Sequence, residues 1–156
     1  MEIERKWLVD INNIPYNLSD YEHFDIEQAY ISFSPTIRIR KINDSEFILT
    51  IKSASKDNGL SRQEYEINIS RQEYDNLLDK KQGNVLYKTR YKVPFNEYTY
   101  EIDIFHNQYE GLGYVEVEFN TIEQAKQFET PSWVLQELTG SKIYTNASLA
   151  KGLLKI

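Results

Sequence analysis

The chain of 156 residues contains no cysteine. This excludes a disulfide frame and a thiolate zinc site, and it fits a reducing compartment such as the cytoplasm. No apolar run approaches the roughly 18 residues that a membrane span needs. The opening Met1-Glu2-Ile3-Glu4-Arg5-Lys6 is charged at once, so no signal peptide is expected. Excess positive charge is also lacking: the net charge is −6. A long nucleic-acid backbone would be repelled overall, although a small anion could bind where cations are concentrated. The two histidines, His23 and His106, fall in expected loop or helix-end positions, so a Ser-His-Asp site has no support. No G-x-x-x-x-G-K-[ST] loop is present, and Gly111-Leu112-Gly113 reads as a turn. No repeat, low-complexity tract or linker divides the chain, and its length predicts one domain over residues 1–156.

What is present favours strands. Apolar residues make up 40% of the chain, with twelve tyrosines and seven phenylalanines. Period-two segments predict strands over 2–9, 27–34, 36–43, 46–53, 61–69, 86–94, 98–105 and 113–119. Short polar turns at Asn43-Asp44, Asp57-Asn58-Gly59 and Pro94 to Glu97 separate several of them. Ser70-Arg71-Gln72-Glu73 is a capping box that opens a helix through Tyr74, Leu77 and Leu78, with Gly83 as its stop. Thr121 to Gln124 opens a second, ended by Pro131. Shorter helices are expected over 16–24, from Trp133 to Leu138, and after Asn146 through Leu149, Leu153 and Leu154. The class is α+β, with neighbouring strands in an antiparallel sheet or barrel.

Within the strands, charge alternates with apolar residues. Glu2, Glu4 and Lys6 share one face of the first strand. Arg38 and Arg40 flank Ile39, and Thr50 and Lys52 flank Ile51. Arg62, Glu64 and Glu66, then Lys88, Arg90 and Lys92, then Glu101 and Asp103, then Glu116 and Glu118 repeat the pattern. Side chains alternate faces along a strand, so each strand has one charged and one mostly apolar face. One reading turns the charged faces to water, as in any half-buried sheet. Against it, like charges are stacked two residues apart, about 6.5–7 Å. Such a pair repels by roughly 0.6 kcal/mol in water and roughly 2 kcal/mol at an effective dielectric near 20. In a confined space this needs counter-charges or a bound ion. If the helices cover the apolar faces, a sheet that closes would enclose the charged ones. The second reading is therefore an eight-stranded barrel with helices outside and a charged lumen.

Such a lumen would bring many carboxylates, hard ligands for Mg²⁺ or Mn²⁺, together with many Arg and Lys suited to phosphate oxygens. A site that needs both a divalent cation and many cations of its own points to a polyphosphate.

The same residues resemble a known family. Glu2-x-Glu4-x-Lys6 is similar to the ExExK signature of CYTH domains, the triphosphate tunnel metalloenzymes. The likeness continues through Arg38-Ile39-Arg40, Leu49-Thr50-Ile51-Lys52, Leu60 to Glu66, Lys88-Thr89-Arg90-Tyr91, Glu101-Ile102-Asp103, Val115 to Phe119 and Lys142-Ile143-Tyr144. It implies an eight-stranded antiparallel tunnel that binds a triphosphate and a divalent metal. Glu2 and Glu4, with Glu116 or Glu118, would hold the metal. Lys6, Arg38, Arg40, Lys52, Arg62, Lys88, Arg90 and Lys142 would bind phosphate. Lys6, Glu64, Asp103, Tyr30 and Lys88 are the implied catalytic set, with Glu64 and Asp103 orienting the water or supporting its neighbours. Tyr30 could equally be core, and Lys142 a helix-end residue.

Family members include inorganic, thiamine and RNA triphosphatases and class IV adenylate cyclases. This chain resembles the compact bacterial triphosphatases and has no evident insertion for a nucleoside pocket. The expectation is metal-dependent hydrolysis of inorganic triphosphate. The alternatives are a class IV adenylate cyclase or a module that binds triphosphate without cutting it. Aromatic-rich faces left uncovered by short helices leave room for a homodimer.

Overall fold

The computed structural model describes residues 1–54 and 56–153. Leu154, expected on the last helix, lies outside the described residues. The period-two segments form one antiparallel sheet. Its strands are β1 (Glu2–Val9), β2 (Glu22–Phe33), β3 (Thr36–Ile42), β4 (Glu46–Lys52), β5 (Ser61–Arg62), β6 (Glu64–Asn68), β7 (Gln82–Phe95), β8 (Tyr98–Phe105), β9 (Gly113–Glu118) and β10 (Gln136–Glu137). The hydrogen-bonded order is β10-β1-β9-β8-β7-β2-β3-β4-β6, and β5 returns to pair with β1. Asn43 and Asp44 make the tight β3–β4 turn at φ of 51° and 57°, a conformation their short polar side chains tolerate.

The expected strand 61–69 is divided at Gln63, and this division closes the sheet. Arg62 on β5 lies opposite Glu2 on β1, while Glu64 on β6 lies opposite Lys52 on β4. One run of chain therefore joins both edges into a nearly closed barrel. At the break, the Gln63 N–H donates to Ser53 Oγ (2.9 Å), and the Gln63 carbonyl accepts from the Ser53 N–H (3.0 Å).

Helix α1 (Arg71–Leu78) begins at the Ser70/Glu73 capping box and packs Tyr74 on Ala29, Ile39 and Phe47. Helix α2 (Ile122–Gln127) buries Ala125 against Ile3, Trp7, Val115 and Val117. Both lie on the apolar outer faces, as the alternation requires. Helix α3 (Asn146–Lys151) does something different. Its Leu149 and Ala150 pack with Tyr30, Leu86, Phe105 and Tyr114, which stand on the same strand rows as the charged residues. One end of the lumen is thus apolar and covered by α3.

Two expected helices are absent. Residues 16–24 hold a single 3-10 turn at Leu18–Asp20 and then enter β2. From 133 to 138 the spacing of Trp133, Val134, Leu135 and Leu138 suggests a helix, but the free edge of β1 captures the segment. Leu135 N–H donates to the Leu8 carbonyl (2.9 Å) and Leu138 N–H to that of Lys6 (2.7 Å), leaving Gln136 and Glu137 as β10. Backbone groups at an unpaired edge need partners, and this requirement outweighs a short helical pattern.

Candidate active site in the barrel lumen

Strand register assembles the site. Glu4 lies opposite Glu118 and Lys6 opposite Glu116. Glu116 lies in turn opposite Glu101, and Asp103 opposite Arg90. On the other wall, Gln28 faces Arg40, Tyr30 faces Arg38, and Arg38 faces Thr50. Residues far apart in the chain thereby share one interior.

The deepest part is an ionic cluster on β7 and β8. Asp103 and Lys88 have fully buried side chains, with Lys88 Nζ 2.8 Å from Asp103 Oδ2. Arg90 reaches the same carboxylate through Nε (2.7 Å to Oδ1) and Nη2 (2.9 Å to Oδ2). Its Nη1 also lies 3.6 Å from Glu101 Oε2. Burial opposes the Asp103 charge, but Arg90 and Lys88 outweigh it and hold the carboxyl well below its ordinary pKa. Burial, reinforced by Arg90 and Arg40 against the pull of Asp103, lowers Lys88 to about 7. Glu116 is likewise disfavoured by burial, yet Arg90 and Lys6 bring it below the usual value.

Lys6 Nζ sits 4.1 Å above the Tyr114 ring and donates to the Tyr144 carbonyl (3.0 Å). Arg38 is nearly buried, with Nη2 3.5 Å from Thr50 Oγ1 and 3.8 Å from Glu64 Oε1, and among the described residues its Nε has no partner. Among the described residues the Tyr114 hydroxyl is also buried without a partner. Buried polar atoms left unpaired are costly, and both residues stand on the strand rows that carry the interior charges. Tyr30 is buried, which raises its phenol pKa, while Arg38, Arg40 and Arg62 oppose that rise.

Toward the other end the charge changes sign. Oxygen atoms of Glu2, Glu4 and Glu118 lie within 4.8 Å of one another. Desolvation raises Glu4 well above the ordinary value, with Glu116 and Glu2 adding to it. Glu2 is raised by desolvation against the pull of Lys52. Partial burial, with Glu101, Glu2, Glu116 and Glu64, pushes Glu118 to about 7. Three hard oxygen donors whose ionised forms repel one another fit a divalent cation of the Mg²⁺ or Mn²⁺ kind.

The structure thus brings together Glu2, Glu4, Lys6, Tyr30, Arg38, Arg40, Lys52, Glu64, Lys88, Arg90, Asp103, Glu116 and Glu118, with Arg62 beside Glu2 at the seam. Lys142 is exposed. Gln28 and Asn146 were not foreseen. Fully buried Gln28 accepts from Arg40 Nε (3.3 Å) and Nη2 (3.1 Å) and donates to Asn146 Oδ1 (3.1 Å). Its sequence signal was its place two residues before Tyr30, on the same strand face. Asn146 had none, because only the packing of α3 brings it to the lumen.

Comparison with known proteins agrees with this geometry. The CYTH domain model matches residues 1–151. The inorganic triphosphatase of Nitrosomonas europaea is 36% identical over 155 residues, 96% of each chain. That of Acetivibrio thermocellus is 36% identical over 127 residues, 80% of this chain and 78% of the other. The solved structure of the inorganic triphosphatase NE1496 matches with a TM-score of 0.69 at 31% identity, covering 97% of this chain and 95% of that one. The nearly closed antiparallel barrel, its inward charges and the ExExK strand have one common explanation: the chain belongs to the CYTH domain family.

Proposed function

We propose that the lumen hydrolyses inorganic triphosphate to diphosphate and phosphate. The observation that carries this reading is the convergence of Lys6, Arg38, Arg40, Lys52, Lys88 and Arg90 beside the Glu2/Glu4/Glu118 cluster. The names of the two bacterial relatives support it. Arg38, with its unpartnered Nε, and Arg40 and Arg90 take phosphate oxygens, aligning the chain of phosphates along the lumen. Lys52 and Arg62 hold it near the seam. Glu2, Glu4 and Glu118 would hold a divalent cation, which when bound neutralises phosphate charge as a Lewis acid. Glu116, the other candidate ligand on β9, instead balances Lys6 and Arg90.

Phosphoryl transfer requires positioning and charge neutralisation more than covalent help. A water oxygen bonds to the terminal phosphorus, in line with the bridging P–O bond that breaks. Diphosphate departs with the electron pair, its charge met by the Arg side chains. Lys88 is at about 7 before substrate binds and rises with the phosphate chain in place, so its neutral form, which can accept the water proton, grows as pH rises above neutral. Asp103 orients Lys88 and Arg90, and Glu64 steadies Arg38 and Lys52. Tyr30 lines the same wall opposite Arg38.

A panel of inorganic triphosphate, ATP and thiamine triphosphate, assayed with Mg²⁺ and with Mn²⁺, tests this. The expected result is fastest phosphate release from inorganic triphosphate. Cyclic AMP from ATP, or tight binding without phosphate release, would overturn it.

A further inference from the structure

The hydrogen bonds around Asn146 have forced directions. Arg and Lys side chains only donate. Arg40 therefore fixes Gln28 Oε1 toward itself, which turns Gln28 Nε2 to Asn146. From the other side, Lys88 Nζ donates to the same Asn146 Oδ1 at 3.2 Å. Both ends agree on one amide orientation. A continuous polar path then runs Arg40, Gln28, Asn146, Lys88, Asp103, Arg90, linking β3, β2, α3, β7 and β8.

Lys88 Nζ has three tetrahedral positions beyond its carbon. Asp103 Oδ2 and Asn146 Oδ1 are acceptors and occupy two of them with N–H groups. Among the described residues no third acceptor lies within hydrogen-bond distance, and Lys88 stands on the same inward row of β7 as Arg90, so the third position belongs to the barrel interior. Protonated, it presents an N–H to a phosphate oxygen; neutral, it presents a lone pair to a water proton. With Asp103 alone, the amine would be free to turn about its carbon.

Asn146 reaches this place only because α3 is seated. Thr145 Oγ1 caps the helix by accepting the Ser148 N–H (3.0 Å), and the buried Tyr109 hydroxyl donates to the Leu149 carbonyl (2.7 Å). Leu149 and Ala150 fill the apolar end of the lumen.

We propose that Asn146 is a positioning residue for phosphate hydrolysis, bridging Lys88 and Gln28 so that the free valence of Lys88 points into the lumen. The proposal rests on the triphosphatase reading. It makes the seating of α3 part of the chemistry, because the helix delivers the acceptor. The charged groups around Lys88 are Asp103 on β8, Arg90 on its own strand, Arg40 on β3 and Glu116 on β9, with the Phe105 ring 5.5 Å away.

The test pairs Asn146→Ala and Asn146→Asp, with the Lys88 amine followed by nitrogen NMR as pH is varied and kcat measured over the same range. Asn146→Ala removes an acceptor, so the Lys88 midpoint moves down and kcat falls about tenfold or more, with KM less affected. Asn146→Asp keeps the acceptor and adds a charge, so the midpoint and the matching limb of the kcat profile move up by about one unit. An acidic residue in the first turn of α3 suits the helix dipole, so this variant decides the matter even if the alanine variant fails to fold. An unmoved midpoint in Asn146→Asp, or a midpoint that moves while the kcat limb does not, overturns the proposal. The NMR titration needs no turnover. Failure of the triphosphatase reading would appear separately, as a wild-type chain that releases no phosphate from triphosphate.

Discussion

Lys52 Nζ lies 3.3 Å from Glu2 Oε1, across the seam where the barrel closes. The same ammonium is 3.8 Å from Glu64 Oε1, so one charge ties β1, β4 and β6 together. Both side chains of the Lys52–Glu2 pair are about nine-tenths buried, so solvent screens the contact little.

Lys52→Met should therefore destabilise the metal-free protein by about 2 kcal/mol in urea titration. Mg²⁺ should stabilise the variant more than the wild type, because the carboxylates at the seam lose their own cation. Equal Mg²⁺ effects on the two proteins would separate Lys52 from the acidic cluster.

Asp103→Asn leaves Lys88 and Arg90 facing a neutral amide in a buried site. The expected loss is about 3–5 kcal/mol at neutral pH. The sign of the pH dependence follows from the folded state holding the Asp103 carboxyl below its ordinary value. Its contribution is fully present above the unfolded pKa of about 3.9 and is lost as pH falls toward the folded value. The Asp103 share of the stability difference between wild type and variant should shrink as pH falls below about 4. A difference that grows in acid would contradict this account of the cluster.

Lys88 makes a separate pH prediction. Burial lowers it to about 7 from its ordinary 10.5. A bound phosphate chain favours the ammonium and raises that value again. Above pH 7, binding must then take up a proton, and triphosphate affinity should fall as pH rises. Calorimetry without metal, in buffers of different ionisation enthalpy, should register the uptake. Lys88→Met should lose that part of the slope. Identical slopes in the two proteins would place the proton elsewhere.

Much of this site was legible in the residues. Period-two alternation located the strands, and stacked like charges on single faces pointed to an enclosed space. The β8 and β1 limits agree with expectation because both strands carry unbroken alternation. The break at Gln63 was hidden because its neighbours keep the period across it, and only the pairing of β5 with β1 and β6 with β4 reveals two partners. Trp133 to Leu138 misled because its apolar spacing suits a helix, while the deciding fact was the vacant edge of a strand more than a hundred residues away. Gln28 and Asn146 escaped for a related reason. Uncharged amides carry no pattern, and their roles exist only once β2, β3, β7 and α3 meet.

The account rests on carboxylates and cations from different strands serving one guest inside the barrel. Diffraction from crystals grown with Mn²⁺ and a non-hydrolysable triphosphate analogue tests this most directly. The prediction is an anomalous peak at the Glu2, Glu4 and Glu118 oxygens, with phosphate density running from it past Arg38, Arg40 and Arg90. A manganese peak away from those three carboxylates, or analogue bound on the outer face of the sheet, would contradict it.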